Sequence, residues 1–415
     1  MTIRRSTVSD STGRAQASAR LGFTLVGVLL IAANLRVSFT SVGPVLDDIR
    51  GDLGLGGAAA GLLTALPLLA FAASSPAAPW IASRLGIERT LWAALAALAA
   101  GIVLRSLPLA GAIWMGTALL GVAIGSMNVI LPSLVKRDFP NHVGQVTGVY
   151  TAAQGGMAAV GAGIVVPVAH GTGLGWPLAL GMWAGLTVIA MAVFAPQLAR
   201  RPAGDAGRSD PAAGDAGGVG VASVGLRNPW GSSLAWKITV FMGLQSLSFY
   251  VFVSWLPSIE LSHGTPAATS GWHLFIFQLV GMAANLGTAA LLHRMSDQRL
   301  IALVGALLDV VAFAGLWLAP QLSLLWVIVG AAACGILIVV ALSLFSLRTQ
   351  RHSQAAALSG MAQSIGYLIA GVGPILVGGL MDATGSWSVP LMIMTALMVV
   401  LCVVALAAGR DRYIG

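Results

Sequence analysis

A chain of 415 residues that is 57% hydrophobic and only 9% charged cannot cover a soluble globule, for which about a quarter of the residues are normally charged. The net charge of +8 would suit a nucleic-acid partner only if the basic side chains gathered on one face, and here they are dispersed between apolar stretches. The two cysteines, Cys334 and Cys402, both lie inside apolar runs, which excludes a disulfide framework and a thiolate metal site.

The first 20 residues are polar and carry Arg4, Arg5, Arg14 and Arg20. The apolar run behind them leads into Asn34, Leu35 and Arg36 without a small-residue cleavage site, so a removable signal peptide is not expected. Crossing a hydrocarbon core of roughly 30 Å takes about 20 mostly apolar helical residues, because every backbone polar group must be satisfied within the segment. Twelve segments meet that requirement, near 21–45, 58–83, 90–106, 110–135, 143–169, 176–199, 235–259, 268–292, 300–318, 322–347, 355–381 and 387–409. The predicted class is an all-α membrane protein.

Lysine and arginine concentrate in cytoplasmic loops. An inside N-terminus places 19 of the 22 there: 4 in the tail, 2 in each of four short loops, 5 around the central loop and 2 at the C-terminus. Only Arg50 and Arg105 then fall outside, and Arg36 lies within a segment. The expected location is the bacterial inner (plasma) membrane, with both termini cytoplasmic.

Residues 200–234, rich in Gly, Ala, Pro and Asp, read as a flexible cytoplasmic linker between a first half at 21–199 and a second at 235–409, with tails at 1–20 and 410–415. The halves resemble each other at a nearly constant offset. Pro44 corresponds to Pro257 at 213, Gly61 to Gly271, Arg84 to Arg294 and Arg89 to Arg299 at 210, Lys136 to Arg348 and Gly148 to Gly360 at 212, and Trp176 to Trp387 at 211. Two parallel six-helix repeats joined by a long inside loop are the organisation of the major facilitator fold.

The match extends to motifs. Ala32-Ala33-Asn34-Leu35-Arg36 followed by Ser41-Val42-Gly43-Pro44 resembles the first helix of the cyanate and 2-nitroimidazole transporter family of the major facilitator superfamily. So do Leu134-Val135-Lys136-Arg137-Asp138-Phe139-Pro140 with Thr147-Gly148-Val149-Tyr150-Thr151, Leu358-Ser359-Gly360-Met361-Ala362-Gln363-Ser364-Ile365-Gly366-Tyr367, and Asp382-Ala383-Thr384-Gly385-Ser386-Trp387. The resemblance covers both halves and implies a secondary transporter for a cyanate-like or nitroimidazole-like solute. Two places depart from the superfamily's general pattern. Ser83 stands where an acid normally precedes the loop arginine Arg84, and the glycine-proline signature of drug/proton antiporters is missing from 155–169 although Gly373-Pro374 occurs in segment 11.

Arg36 is the sharpest single feature. It lies about 21 Å along segment 1, near the bilayer midplane, where an arginine must face protein, water or a partner. Thr40 and Gly43 share its face, and Asp47 and Asp48 are too far along the helix to pair with it. It reads as the fixed charge of an anion site, the alternative being a snorkelling or structural arginine. Tyr150 with Gln154, and Gln363 with Tyr367, form i, i+4 pairs in segments 5 and 11 that would face one central space, or else bond ordinarily between helices. Gln245, Phe249 and Phe252 make a stripe in segment 7, with Trp255 nearby, that could line the cavity or simply pack; Phe249 falls opposite Arg36 at offset 213. His273, with Phe277 at i+4, and Asn128 are weaker cavity candidates. Asp309, in segment 9, could carry a proton or accept a packing hydrogen bond.

Arg84, Arg89, Lys136, Arg137, Arg294 and Arg299, together with Arg348 and Arg351, read as topology anchors and gating contacts at cytoplasmic helix ends. The 52 glycines include no Gly-Lys-Ser/Thr phosphate loop; Gly121-x-x-x-Gly125 and Gly181-x-x-x-Gly185 read as helix-packing sites. No cofactor, metal cluster, enzymatic motif or nucleic-acid surface is expected. The expected partners are the lipid bilayer, a small polar or anionic solute and, in a coupled mechanism, protons. Transport of that solute by alternating access is the leading expectation, and proton-coupled efflux of drugs or other amphiphiles the alternative.

Overall fold

The computed structural model describes residues 6–74, 77–107, 109, 111–199, 229–292, 295, 297–350, 352–410 and 413. Most of the expected linker, together with Arg294 and Arg351, lies outside the described residues. Among those described, twelve stretches are long and apolar enough to cross a membrane. Large apolar side chains such as Val188, Leu286, Leu307 and Val403 stay exposed on the bundle's outer faces, where lipid would cover them.

The first span is broken. α1 (Ser6–Thr40) stops because Pro44 has no N–H to offer Thr40. Val42 N–H turns back to Phe39 O at 3.2 Å, a short 3-10 turn covers Gly43–Val45, and α2 (Leu46–Leu53) finishes the crossing. Gly54, at φ 62°, ends α2 in the left-handed conformation that favours glycine. α3 (Gly57–Ser74) and α4 (Ala77–Leu85) occupy the expected second segment. α5 (Ile87–Arg105), α6 (Ala112–Asp138) and α7 (Val143–Gly171) follow, and α8 (Gly175–Gly181) with α9 (Trp183–Phe194) makes the sixth span. The second set comprises α10 (Ser233–Ser262), α11 (Ala267–Leu292), α12 (Arg299–Leu318), α13 (Ser323–Leu347), α14 (His352–Thr384) and α15 (Ser388–Ala408).

Between the two sets, α3 packs along α14 and α7 along α11. The apolar core is not evenly shared. One cluster joins the second set to Val42, Ile49, Leu63 and Trp176, which lie toward the end of the bundle away from the linker. A separate cluster, including Val28, Leu95, Leu131 and Val135, fills the first set toward the linker end. The sets are therefore fused at the far end and part toward the linker.

Glycines set the closest approaches at that far end. A Cβ on Gly61 would strike the Pro374 carbonyl, and one on Gly57 the Gly378 carbonyl. Of the expected packing pairs, Gly121 and Gly125 seat α6 against Pro67 and Phe71 of α3, whereas Gly185 faces open space, so Gly181-x-x-x-Gly185 does not act as a contact pair.

Candidate solute-binding cavity

The Asn34-Leu35-Arg36 motif works as a pivot. The Thr187 hydroxyl of α9 donates to Asn34 Oδ1 at 2.7 Å, and Asn34 Nδ2 donates back to Leu30 O, which fixes that side of α1 against α9. Two residues on, about 200° around the helix, Arg36 faces the opposite way, into the space between the two sets. Its guanidinium carbon lies 5.4 Å from the centroid of the Phe249 ring on α10, a cation–π contact across the two sets.

That space has two chambers sharing Arg36, Gln154, Phe249, Tyr250 and Tyr367. They leave about 150 and 310 Å³ for the centre of a water-sized body. One chamber extends along Gln245, Gln278, Asn285 and Cys334, the other along Phe71, Asn128 and Gln363. Arg36 is the one charged side chain among the described residues that line either. Rings enclose it: Tyr250 meets Phe39 edge-on at 5.5 Å and Phe249 at 5.2 Å, and Tyr367 meets Phe71 at 5.6 Å. Several amide donors are already engaged, Gln245 Nε2 with Ser246 Oγ at 2.7 Å, Gln363 Nε2 with Ser359 Oγ at 2.7 Å and Asn128 Nδ2 with Ile124 O at 3.1 Å. Gln278 differs, for its Nε2 is buried without a hydrogen-bond partner.

Beyond the cavity, the far end is latched. The Asp382 carboxylate at the end of α14 accepts the Gly57 N–H and, at 3.3 Å, the Ala58 N–H, so it caps the exposed donors that open α3. Its other oxygen lies 3.4 Å from Arg50 Nη2, and Arg50 also pairs with Asp47 at 3.3 Å and lies over Trp255 at 5.7 Å. Trp255 Nε1 in turn donates to Pro374 O at 2.9 Å.

Comparison with known proteins decides the family. The Major Facilitator Superfamily profile matches residues 28–374. The chain belongs to that superfamily. It is 42% identical over 390 residues to the 2-nitroimidazole transporter of Escherichia coli strain K12, covering 94% of this chain and 96% of the relative. It is 30% identical over 369 residues to the cyanate transport protein CynX of the same organism, covering 88% and 91%. In three dimensions it is similar to a bacterial homolog of the human lysosomal transporter Spinster in an inward-facing, occupied conformation, with TM-score 0.74, 16% identity and coverage of 94% and 98%. The protein is thus a facilitator-type multi-pass transporter for a small molecule, not an enzyme.

In this facilitator the expected cavity residues Arg36, Gln154, Gln245, Phe249, Gln363, Tyr367 and Asn128 come together, and four others do not. Thr40 is buried and donates to Ala158 O at 3.0 Å, tying α1 to α7. Tyr150 packs against the core of the first set. Phe252 turns away from the chambers to stack on Phe313 at 4.5 Å and fill the notch at Gly330. His273 pairs through Nδ1 with buried Glu260, at 2.7 Å. Tyr250, Gln278 and Asn285 also line the chambers, beyond the expected residues. Gln278 and Asn285 sit seven residues apart on α11, a spacing that marks one helical face. Replacing Gln278 by leucine removes a donor that no protein group uses. Solute affinity should fall about three- to tenfold with the unfolding temperature of the empty protein unchanged, as titration and thermal melts would show; equal affinity would remove Gln278 from the site.

Asp309 lies behind the cavity wall. It is fully buried and accepts the Ser248 hydroxyl at 2.9 Å, and Ser248 is 3.8 Å from Cys334, which lines a chamber. Asp309→Asn keeps an acceptor for Ser248, so transport should stay within about twofold of wild type across pH. Loss of its pH dependence in proteoliposomes would instead make Asp309 a proton carrier.

The basic residues expected at the linker end divide by environment. Lys136 and Arg89 are exposed, and Arg84 lies over Trp80 at 4.5 Å. Arg137 pairs with Glu88, in the first turn of α5, at 2.6 Å and with Asp138 at 2.7 Å. Arg299 pairs with Asp297 at 3.4 Å. Arg348 is buried, donating to Gln298 Oε1 and to Gly409 O at 2.9 Å, and so ties α13 to the end of α15. Arg105, counted among the outside charges, ends α5 and is 1% exposed.

Proposed function

We propose that this transporter carries a small, flat, monoanionic or nitro-bearing solute across the inner membrane by alternating access. The observation that carries the reading is a single guanidinium, Arg36, facing an aromatic ring in a cavity lined by amides and phenols and by no acid among the described residues. A guanidinium offers a planar fork of donors to two oxygens of one group, while rings on either side suit a flat body. The solutes named for the relatives, 2-nitroimidazole and cyanate, fit that chemistry. The latched far end faces outside in this reading, and the cavity opens toward the cytoplasm. Export of cationic drugs gains no support, because no carboxylate among the described residues lines the cavity to receive a cation.

The test is a thermal-stability screen of the detergent-purified protein with cyanate, nitroimidazoles, small carboxylates and cationic drugs. Stabilisation by members of the first three groups is the expected result. Stabilisation by cationic drugs alone would overturn the proposal.

A further inference from the structure

The solute cavity has one charged place and a neutral extension. Arg36 borders both chambers, and from it the smaller chamber runs on between α7, α10, α11 and α13, past Gln154 and Asn285. These two amides differ from their neighbours. Gln245, Gln363 and Asn128 each engage a donor on a nearby protein group, whereas Gln154 and Asn285 make no hydrogen bond to a described residue. Both are half-buried, and none of their amide nitrogens and oxygens is sealed from open space.

The smaller chamber leaves about 150 Å³ for the centre of a water-sized body, where a single water needs about 10–15 Å³. An anion of three atoms on Arg36 would leave most of it to solvent. A ring-sized body would fill it. Apart from Arg36, no charged side chain among the described residues lines this chamber, so a second charge on the solute would lose its water there without gaining a partner. A purely apolar edge would strip water from both amides and return no hydrogen bond. Only a donor beside an acceptor answers both groups of a carboxamide at once.

We propose that the smaller chamber selects a solute with two unlike ends, a flat monoanion whose edge away from the anionic group carries an N–H beside a C=O, as in a lactam or a cyclic ureide. The inference rests on the reading of Arg36 as the anion site and adds a second recognition group, Gln154 with Asn285, that names the substrate class.

The experiment compares two monoanions of nearly equal size and outline: 6-hydroxynicotinate in its lactam form, which has that edge, and 4-methylbenzoate, which lacks it. Calorimetric titration of the purified full-length protein should show the lactam binding about tenfold or more tighter, the worth of two ordinary hydrogen bonds. In the variant carrying Gln154→Leu and Asn285→Leu together, the ratio should fall to about one. Should that protein not fold, Gln154→Ala and Asn285→Ala, made singly, give the same readout as a ratio lowered about threefold or more in at least one of them. Equal or weaker binding of the lactam to wild type, or a preference that survives these substitutions, overturns the proposal and leaves the anion site standing. Binding of neither carboxylate to wild type overturns the anion-site reading, and this inference with it.

Discussion

Arg36→Gln should weaken solute binding by about 30-fold or more and leave the empty protein folded, because a charge-assisted bond in a desolvated site is worth about 2–5 kcal/mol. The guanidinium contributes little else. Its side chain contacts the Phe249 ring, and its removal strands no described hydrogen-bond partner. A lysine at the same position keeps the charge but loses the planar fork, so Arg36→Lys should fall between the two, with affinity reduced by about tenfold. Binding isotherms and thermal melts on the three proteins separate these outcomes. Wild-type affinity in Arg36→Gln would refute the anion-site reading outright.

Asp382→Ala should open the far end. The carboxylate caps two N–H groups at the start of α3 and reaches Arg50, and all of those contacts cross between the two helical sets. Because Asp382 is 38% exposed, the ion pair itself adds little, and the cap carries the larger part. Losing such a cap costs about 1–2 kcal/mol. Since the contact exists only while the far end is closed, that cost moves the closed-to-open ratio by roughly five- to thirtyfold. Spin labels on the exposed residues Leu53 and Ser386, introduced as L53C and S386C, would report the change as a growing long-distance population. An unchanged distance distribution in the Asp382→Ala background would mean that the glycine contacts alone hold the end shut.

Much of this architecture is legible in the order of residues. Apolar lengths alone yield twelve crossings, and the offset between the halves places Phe249 opposite Arg36 although they are far apart in the chain. What the order cannot carry is the rotation of each helix about its own axis. Phe249 and Phe252 differ by three positions, about 60° around a helix, and that is enough to put one ring in the cavity and the other on Phe313. Tyr150 and Gln154 differ by about 40°, and only the glutamine reaches a chamber. Charge counting leaves Arg105 at the outer end of its segment and says nothing of its burial, since the carbonyl that holds it is free only because helix 1 breaks at Pro44. Asp382 is visible as part of a family motif, but its partners, Gly57 and Ala58, become apparent only when the helices meet.

A cavity with one fixed positive charge has a bearing on the membrane potential. Occupied by a monoanion, the moving part of the transporter is electrically neutral at the midplane; empty, it carries one unit of charge. Since one elementary charge crossing 100 mV is worth about 2.3 kcal/mol, alternating access of a monoanion, as proposed, would leave the voltage acting on the return of the empty carrier and hardly on the loaded one. Exchange of solute for solute should then ignore an imposed potential that net uptake into the same vesicles follows.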